Sequence, residues 1–310
     1  MENPQNNSKG NSRSGFAAII GAPNVGKSTL LNSLVGEKVA IVSPKPNTTR
    51  NRIAGIITKG DVQAIFIDTP GIHRAKEGLN LRMVNIAIAA ISEVDIILLM
   101  VEAGNRTSGI EKFIADRAAE TNAKRFLVIN KIDRVAKGSL LPEIEERVQS
   151  MGPFDEVTPI SALSGDGVDM IEKLVMGSLP FGPHYYSEDV FTDQPERFIA
   201  AEMIREQIII MTQEEVPYAS AVIVEEWDDR PERVLIRAKI YVESAGQKAI
   251  VIGHRGDMIK KIGAAARKSI EKMLGTKVYL DLFVSISPKW RRNDAMLNLL
   301  LPSGEKKSQV

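Results

Sequence analysis

Two different orders of apolar and polar positions divide the chain. From about Gly15 to Leu179, short apolar runs without polar alternation are separated by segments of helical period, for example at 108–120. The apolar runs predict strands at 16–20, 64–68, 96–101, 125–130 and 156–161. Continuous Ile, Val and Leu runs are typical of strands buried on both faces. This part therefore predicts an α/β domain whose mostly parallel sheet carries helices on both faces.

The second order begins after an aperiodic segment rich in Pro, Gly and Tyr at 179–197. Its pattern predicts a helix at 198–211, strands at 219–226 and 234–243, helices at 247–252 and 257–274, and a strand at 277–286. This order favours a smaller α+β domain. The predicted division is a disordered lead at 1–14, a first domain at 15–180, a linker at 181–197, a second domain at 198–298 and a flexible tail at 299–310.

Composition excludes several classes of protein. The chain has 310 residues, 44% of them hydrophobic, and no cysteine, which excludes disulfides, thiolate metal sites and thiol nucleophiles and fits a reducing cytoplasm. The polar amino-terminal stretch has no apolar core, so we expect no signal peptide. The longest apolar region, 86–100, contains Ser92, Glu93 and Asp95 and is too short and too charged to span a bilayer.

The first candidate site is the stretch GAPNVGKST at 21–29, which follows a predicted strand and precedes a predicted helix. It fits the phosphate-loop pattern in full, and its context is the one that this pattern requires. Glycines let successive backbone N–H groups turn towards a phosphate, Lys27 would neutralise its oxygens, and the Ser28 hydroxyl could bind Mg²⁺. The predicted nucleotide-binding residues here are Gly21, Ala22, Pro23, Asn24, Val25, Gly26, Lys27, Ser28 and Thr29.

Three further motifs stand where predicted strands end, the edge at which an open α/β sheet places its ligand. In DTPG, Asp68 would hold Mg²⁺ through water, and the Gly71 amide would face the γ-phosphate. In NKID, Asp133 can accept two hydrogen bonds from guanine, which adenine cannot donate. The remaining predicted nucleotide-binding residues are Thr69, Pro70, Asn130, Lys131, Ser161, Ala162 and Leu163.

These residues have separate predicted roles. Asn130 would support the loop and the far edge of the base, while the aliphatic stem of Lys131 would cover the ring. The segment SAL at 161–163 could present a backbone N–H to the guanine O6. Together, the four motifs predict a guanine nucleotide.

The polar, proline-rich segment 42–52 lies between the phosphate loop and DTPG. Such a loop suits a switch that becomes ordered when a threonine hydroxyl reaches Mg²⁺ and the γ-phosphate. Thr49 is the preferred candidate and Thr48 the alternative. The predicted Mg²⁺ ligands are therefore Ser28, Thr49 and Asp68.

GAPNVGKST, NTTRNR, DTPG, NKID and SAL together resemble the Era/TrmE-like branch of the translation-factor-related GTPases. This resemblance implies a P-loop GTPase domain. Related GTPases carry a water-orienting glutamine where this chain has Ile72, followed by His73, so unaided hydrolysis should be slow. We assign no side-chain base, and the catalytic candidates are Asn24, Thr49, Gly71 and His73.

Asn24 matches an asparagine that some members of this branch use to hold K⁺ beside the phosphates. The hypothesis is that Asn24 and K⁺ replace an arginine finger. The alternative is that Asn24 only stabilises its loop by a hydrogen bond.

The second domain contains Gly253-His254-Arg255-Gly256 between two predicted helices. This turn and the surrounding element order resemble the KH fold of the prokaryotic type (type II), whose GxxG turn grips single-stranded nucleic acid. Residues 248–292 include 11 basic and 3 acidic residues, whereas 188–247 include 6 basic and 14 acidic ones. The basic segment surrounds the turn, as phosphate binding requires. The predicted RNA-binding residues are Ile252, Gly253, His254, Arg255, Gly256, Ile259, Lys260, Lys261 and Arg267.

Over nearly its whole length the chain resembles the Era family of ribosome-assembly GTPases. The resemblance implies binding of GTP and GDP, recognition of the 3′ end of 16S rRNA, and a role in maturation of the 30S subunit. It also implies a cytoplasmic protein with some peripheral association with the inner face of the cell membrane; a monomer is favoured. GTP with Mg²⁺ would order residues about 42–51 and 71–82 and so expose the KH groove, and hydrolysis would release the RNA.

Two other classes stay open. One is a GTPase for tRNA modification or membrane transport, with the KH domain as a tether, although the modification branch would be expected to carry a cysteine tail. The other is a constitutive RNA-binding module whose GTP site is structural.

Overall fold

The computed structural model describes residues 12–76 and 78–301. The predicted lead at 1–11 and the predicted tail at 302–310 therefore lie outside the described residues. The described residues divide into two compact units, one within Met1–Ala75 and Met83–Gln194 and the other within Lys76–Arg82 and Pro195–Val310.

The first unit is built on a six-stranded sheet of order β2-β3-β1-β4-β5-β6. Its strands are β1 (Arg13–Gly21), β2 (Ile53–Lys59), β3 (Val62–Asp68), β4 (Ile96–Glu102), β5 (Lys124–Asn130) and β6 (Glu156–Pro159). Its helices are α1 (Lys27–Val35), α2 (Gly78–Ile91, whose first residues belong to the second unit), α3 (Gly109–Ala119), α4 (Leu140–Met151) and α5 (Val168–Ser178), with 3₁₀ turns at Ile132–Arg134 and Lys137–Ser139.

All neighbouring strands of this sheet are parallel except the β2–β3 pair. The central strands are buried on both faces, because helices cover them on each side. Helix α3 starts at a capping box in which the Ser108 hydroxyl and the Glu111 carboxylate each accept the other's backbone N–H. The phosphate loop, DTPG and NKID all follow strands at the carboxyl edge of this sheet.

The sequence did not predict strand β2. It runs antiparallel to β3 through a tight turn at Gly60, whose φ is +56°. Gly55 interrupts its apolar run, and a Cβ at this position would lie 2.5 Å from Val35 and 2.7 Å from Leu31 of α1. Two apolar runs joined by a short glycine turn are the signal that could have identified this hairpin.

The segment predicted to be a linker lies against this sheet over much of its length. The Phe191 carbonyl accepts from the Ile56 N–H at 2.9 Å, and Thr192 pairs with Gly55, so the segment extends the sheet beyond β2. The wholly buried Gln63 accepts from the N–H groups of Tyr185 and Tyr186 and donates to the Tyr186 carbonyl. We call residues 181–194 the strap.

The second unit has a three-stranded sheet of order β7-β8-β9, with β7–β8 antiparallel and β8–β9 parallel. Its elements are α6 (Glu196–Met211), α7 (Val216–Ala219), β7 (Ala221–Arg230), β8 (Arg233–Val242), α8 (Ala245–Ile252), α9 (Asp257–Leu274), β9 (Val278–Ile286) and α10 (Asp294–Leu300), with 3₁₀ turns at His254–Gly256 and Trp290–Arg292. The order of the predicted elements is observed, and α7 and α10 are added to it. One face of the sheet packs on α6 and α9.

Both predicted chain ends overlap regular structure. Arg13 and Ser14, assigned to the lead, lie in β1, and Leu299 and Leu300, assigned to the tail, lie in α10. Leu301 is buried. The Arg13 and Ser14 N–H groups donate to the Asp61 and Pro180 carbonyls at 2.8 and 3.1 Å, so backbone bonds to distant residues extend β1 into the polar stretch. Among the helices of the described ranges, none is long and apolar enough to cross a membrane.

Candidate functional site

The predicted phosphate loop connects β1 to α1 in a conformation that its glycines permit. Gly26 precedes the first turn of α1 and has φ +104°, a backbone conformation that residues with a side chain rarely adopt. A Cβ on Gly21 would collide with the Met100 carbonyl of β4. Lys27 is 6% exposed and donates to the Gly21 and Ala22 carbonyls at 3.2 and 2.9 Å. These bonds fold the lysine side chain back over its own loop.

The predicted Mg²⁺ ligands lie together. The Ser28 hydroxyl is 2.5 Å from Asp68 Oδ2 and 2.7 Å from the Thr49 hydroxyl, and Thr49 donates to the same carboxylate oxygen at 3.3 Å. The other oxygen, Asp68 Oδ1, is buried and has no hydrogen-bond partner among the described residues. Two hydroxyls and a carboxylate with one unpartnered oxygen are hard oxygen donors, the kind of ligand that Mg²⁺ prefers, so these residues fit Mg²⁺. The Thr48 hydroxyl instead bonds Ser43 and the Lys45 carbonyl.

Burial dominates the electrostatics of this site. It raises the pKa of Asp68 to about 6, and the nearby charge of Lys27 only partly opposes this rise. Burial also lowers the pKa of Lys27 to about 8, against the attraction of Asp68. Each charge is thus held in a dry environment that penalises it. A phosphate beside Lys27 and a cation beside Asp68 would each compensate that penalty.

The loop after DTPG meets the phosphate loop directly. A Cβ on Gly71 would lie 2.7 Å from Pro23, and the Ile72 N–H donates to the Gly21 carbonyl at 3.1 Å. Thr69 is buried and donates to the Ile19 carbonyl, so its hydroxyl supports the strand rather than a ligand. The Gly71 amide is therefore held near the predicted phosphate cradle.

The catalytic candidates differ in their surroundings. Ile72 is 2% exposed, so no water-orienting group occupies this position. His73 Nδ1 lies 2.9 Å from the Gly71 carbonyl oxygen, and its Nε2 is buried with no hydrogen-bond partner in the described ranges. Asn24 is exposed with φ +64° and donates to the Pro44 carbonyl of the switch segment at 3.2 Å.

The two predicted base-binding loops are joined to each other. Asn130 donates to the Val25 carbonyl of the phosphate loop at 2.7 Å and accepts from the Ala162 N–H at 2.9 Å. The Ser161 hydroxyl donates to Asp133 at 2.6 Å, which holds an otherwise exposed carboxylate. Leu163 is 82% exposed. NKID and SAL therefore form one surface beside the phosphate loop.

The GxxG turn lies between α8 and α9. Gly253 has φ +74°, and a Cβ there would lie 2.6 Å from Met258 Cβ. Gly256 has φ +84°, but its Cβ would meet no atom of the described chain within 4 Å. His254 and Arg255 are exposed at the tip of the turn. Gly253 is thus required by packing, while Gly256 leaves space for a backbone to approach.

Next to this turn is a groove of about 300 Å³ between α9 and β9. Three of the predicted RNA-binding residues, Ile259, Lys260 and Arg267, line it. The sequence analysis missed four lining residues: Gly263, Ala264, Leu280 and Leu282. These small or apolar residues have the helical and strand spacing that is also typical of a buried core, so the pattern does not distinguish them. Lys261 forms an i,i+4 ion pair with Asp257 at 2.7 Å, and Ile252 is half-buried on α8; neither lines the groove.

Known protein families match residues in both units of the chain. The family described as 50S ribosome-binding GTPase matches residues 16–131, and the KH domain family matches 215–291. GTPase Era of Geotalea uraniireducens (strain Rf4) is 52% identical over 92% of this chain and 96% of its own. GTPase Era of Geobacter metallireducens is 52% identical over 93% of this chain and 97% of its own.

Two solved structures are similar over nearly the whole chain. A crystal structure of Era in complex with MgGDPNP and nucleotides 1506–1542 of 16S ribosomal RNA has a TM-score of 0.90 and 39% identity, and covers 94% of this chain and 99% of its own. A variant of Aquifex aeolicus Era bound to GDP.AlF4- has a TM-score of 0.90 and 40% identity, and covers 93% and 98%. The predicted fold class, a P-loop GTPase domain followed by a KH domain, is confirmed.

Proposed function

The chain belongs to the Era family of GTPases, and from this membership we propose that it binds the 3′ end of 16S rRNA through its KH domain and acts in maturation of the 30S subunit. The supporting observation is that one chain carries both a guanine-nucleotide site and a basic groove beside a GxxG turn. The similar Era structure that holds both MgGDPNP and 16S RNA aligns with both units of this chain.

The nucleotide is held by charge and by backbone geometry. Lys27 and the N–H groups at the start of α1 bind the β- and γ-phosphates, and Asp133 accepts from the base. Mg²⁺ held by Ser28, Thr49 and Asp68 would neutralise charge on the β- and γ-phosphate oxygens. Thr49 belongs to the segment 42–51, so binding of its hydroxyl to Mg²⁺ would order that segment. Loss of the γ-phosphate would release the segment.

Hydrolysis in this chain depends on positioning rather than on a side-chain base. The Gly71 amide stabilises charge on the γ-phosphate, and buried Ile72 excludes solvent without orienting the attacking water. Asn24, exposed at the loop, would hold K⁺, which would supply positive charge beside the phosphates in place of an arginine finger, and the bond of Asn24 to the Pro44 carbonyl joins it to the switch segment. Intrinsic turnover is consequently slow.

The RNA is bound at the α9–β9 groove. Lys260 and Arg267 contact phosphates, the GxxG turn lets the RNA backbone approach at Gly256, and the apolar wall at Ile259 packs against bases. GTP favours binding and hydrolysis favours release. Such coupling requires different RNA affinities in the two nucleotide states, ordinarily about 1–3 kcal/mol.

The deciding experiment measures affinity for a short RNA ending in the 16S 3′ sequence at fixed salt, because phosphate contacts make affinity steeply salt-dependent. The full chain is tested without nucleotide, with GDP and with a non-hydrolysable GTP analogue, and Lys27→Ala is the control. Tighter binding with the analogue in wild type alone supports the switch. Equal binding in all three states means that the KH domain is a tether, and no binding overturns the RNA target.

The expected cellular location is the cytoplasm, with a peripheral fraction at the inner face of the cell membrane. Co-sedimentation of the full chain with anionic and neutral lipid vesicles tests this fraction. Retention by neither vesicle would remove the membrane from the proposal without affecting the GTPase or RNA assignments.

A further inference from the structure

Glu102, the last residue of β4, forms ion pairs with the residues at both ends of the turn that carries Asp133. Its Oε2 lies 2.7 Å from Lys131 Nζ, and its Oε1 lies 3.4 Å from a terminal nitrogen of Arg134. Lys131 caps the 3₁₀ turn Ile132–Arg134, and Arg134 ends it, so Asp133 lies between the two held residues. A single carboxylate therefore braces the turn from two sides.

The two arms of this brace are unequal. The Lys131 side chain is 19% exposed and the Glu102 side chain 27%, whereas the Arg134 side chain is 62% exposed. An exposed ion pair contributes little because water and salt screen it, so the lysine arm is the stronger one. Lys131 also has φ +67°, which is unfavourable for a residue with a side chain and must be held by its surroundings.

The backbone of Glu102 is held by β5 and by Arg147 of α4. It pairs in register with Asn130 of β5, and its carbonyl accepts from Arg147 at 2.8 Å. Arg147 is wholly buried and bonds Glu143 at 2.9 Å and the Asn105 carbonyl at 2.7 Å. The brace is thus anchored to the sheet and to α4, not to a loose loop.

We propose that Glu102 is a positioning residue for the guanine base. It draws the Lys131 ammonium to one side, so that the aliphatic stem lies across the ring, and it fixes the turn that presents Asp133. Glu102 does not touch the nucleotide itself; it acts through Lys131. The proposal rests on the assignment of NKID to guanine binding in the proposed function.

The test is a double-mutant cycle on the full chain with a fluorescent GDP analogue. Dissociation rates are measured by chase with unlabelled GDP for wild type, Glu102→Ala, Lys131→Met and the double variant; the methionine keeps the stem and removes the charge. Glu102→Ala is expected to release the analogue about tenfold faster than wild type, the equivalent of one charge-assisted hydrogen bond. In the Lys131→Met background the same substitution should change the rate by less than about twofold.

Two further variants sharpen the reading. Glu102→Gln keeps one oxygen that can accept from Lys131 and should fall between wild type and Glu102→Ala. Glu120→Ala removes an exposed glutamate that pairs with Arg117 on α3 and should leave the rate unchanged.

An unchanged dissociation rate in Glu102→Ala would overturn the proposal. An equal acceleration of dissociation in the wild-type and Lys131→Met backgrounds would also overturn it, because the glutamate would then affect binding through the stability of the fold and not through Lys131. In either case wild type still binds the analogue, and the guanine site stands. If wild type shows no saturable binding that GDP, but not ADP, displaces, both the guanine assignment and the role of Glu102 fail.

Discussion

Asn130 donates from its side-chain amide to the Val25 carbonyl over 2.7 Å, so the first residue of NKID also holds the phosphate loop. A Cβ on Gly26 would lie 2.3 Å from the same amide nitrogen, so the contact requires glycine at this position. Its oxygen accepts from Ala162. One buried side chain therefore joins three loops that are widely separated in the sequence.

Asn130→Ala should weaken nucleotide binding and the fold together. The Val25 carbonyl and the Ala162 N–H would each lose a buried partner, at a cost of about 1–3 kcal/mol for each group. Urea unfolding without nucleotide and titration with GDP measure the two effects. Asn298→Ala, at an exposed position of α10, is the matched control. GDP affinity equal to that of wild type would contradict this prediction.

Removal of Mg²⁺ should accelerate GDP release from wild type but not from Ser28→Ala. The Ser28 hydroxyl lies 2.5 Å from Asp68, within the oxygen cluster that fits the ion. Release rates with excess Mg²⁺ and with EDTA, measured for both proteins, provide the test. Ser92→Ala, which removes an exposed hydroxyl outside the site, should respond to EDTA like wild type. An equal EDTA response in Ser28→Ala would remove this hydroxyl from the ligand set.

Turnover of GTP should be faster in K⁺ than in Na⁺ of equal concentration, and Asn24→Ala should abolish the difference. Phosphate release assays in the two salts measure it, with Lys27→Ala as the inactive control. Because Asn24 also bonds the Pro44 carbonyl, its loss could disturb the switch segment instead. A loss of turnover by the same factor in both salts would favour that loop-stabilising role, and equal wild-type rates would exclude K⁺.

Arg267→Ala should weaken RNA binding and lower the slope of log affinity against log salt by about 1, the value for one lost phosphate contact. Arg267 lines the groove between α9 and β9. Lys272→Ala removes an exposed cation of the same helix that does not line the groove, so it serves as the control for net charge. Equal effects of the two substitutions would mean that the RNA responds to overall charge and not to the groove.

Gln63→Ala should destabilise the first unit by about 2 kcal/mol or more, since two N–H groups and a carbonyl of the strap and the Thr58 hydroxyl lose their partner at once. Gln63 is wholly buried, and its side-chain amide hydrogen-bonds the backbone of Tyr185 and Tyr186 and the Thr58 hydroxyl. Urea unfolding measures the loss, and Gln149→Ala, exposed on α4, is the control. A change as small as that of the control would show that the strap is held by apolar contacts alone.

Several features could be predicted from the sequence because neighbouring residues determine them. A phosphate loop needs its glycines, lysine and hydroxyl within nine consecutive positions, and the strand before it is an apolar run. The parallel strands bring the motifs to one edge without any knowledge of side-chain partners. The predicted helix 257–274 is observed as α9, and the glycines that flank it, Gly256 and Gly275, have the left-handed conformation that ends a helix locally.

Other features were decided only by the tertiary structure. The strap could not be recognised from 181–194, because its bonds go to Gln63 and β2, more than a hundred positions away. The contact of the Thr49 hydroxyl with Ser28, the contact of Thr48 with Ser43 and the brace from Glu102 to Lys131 depend on which side chains the folded loops bring within hydrogen-bonding distance. Local sequence therefore determined which chemistry is present at each loop. The packing of distant strands decided which residues support that chemistry, because a side chain's partners are set by sheet order and register, which single segments do not encode.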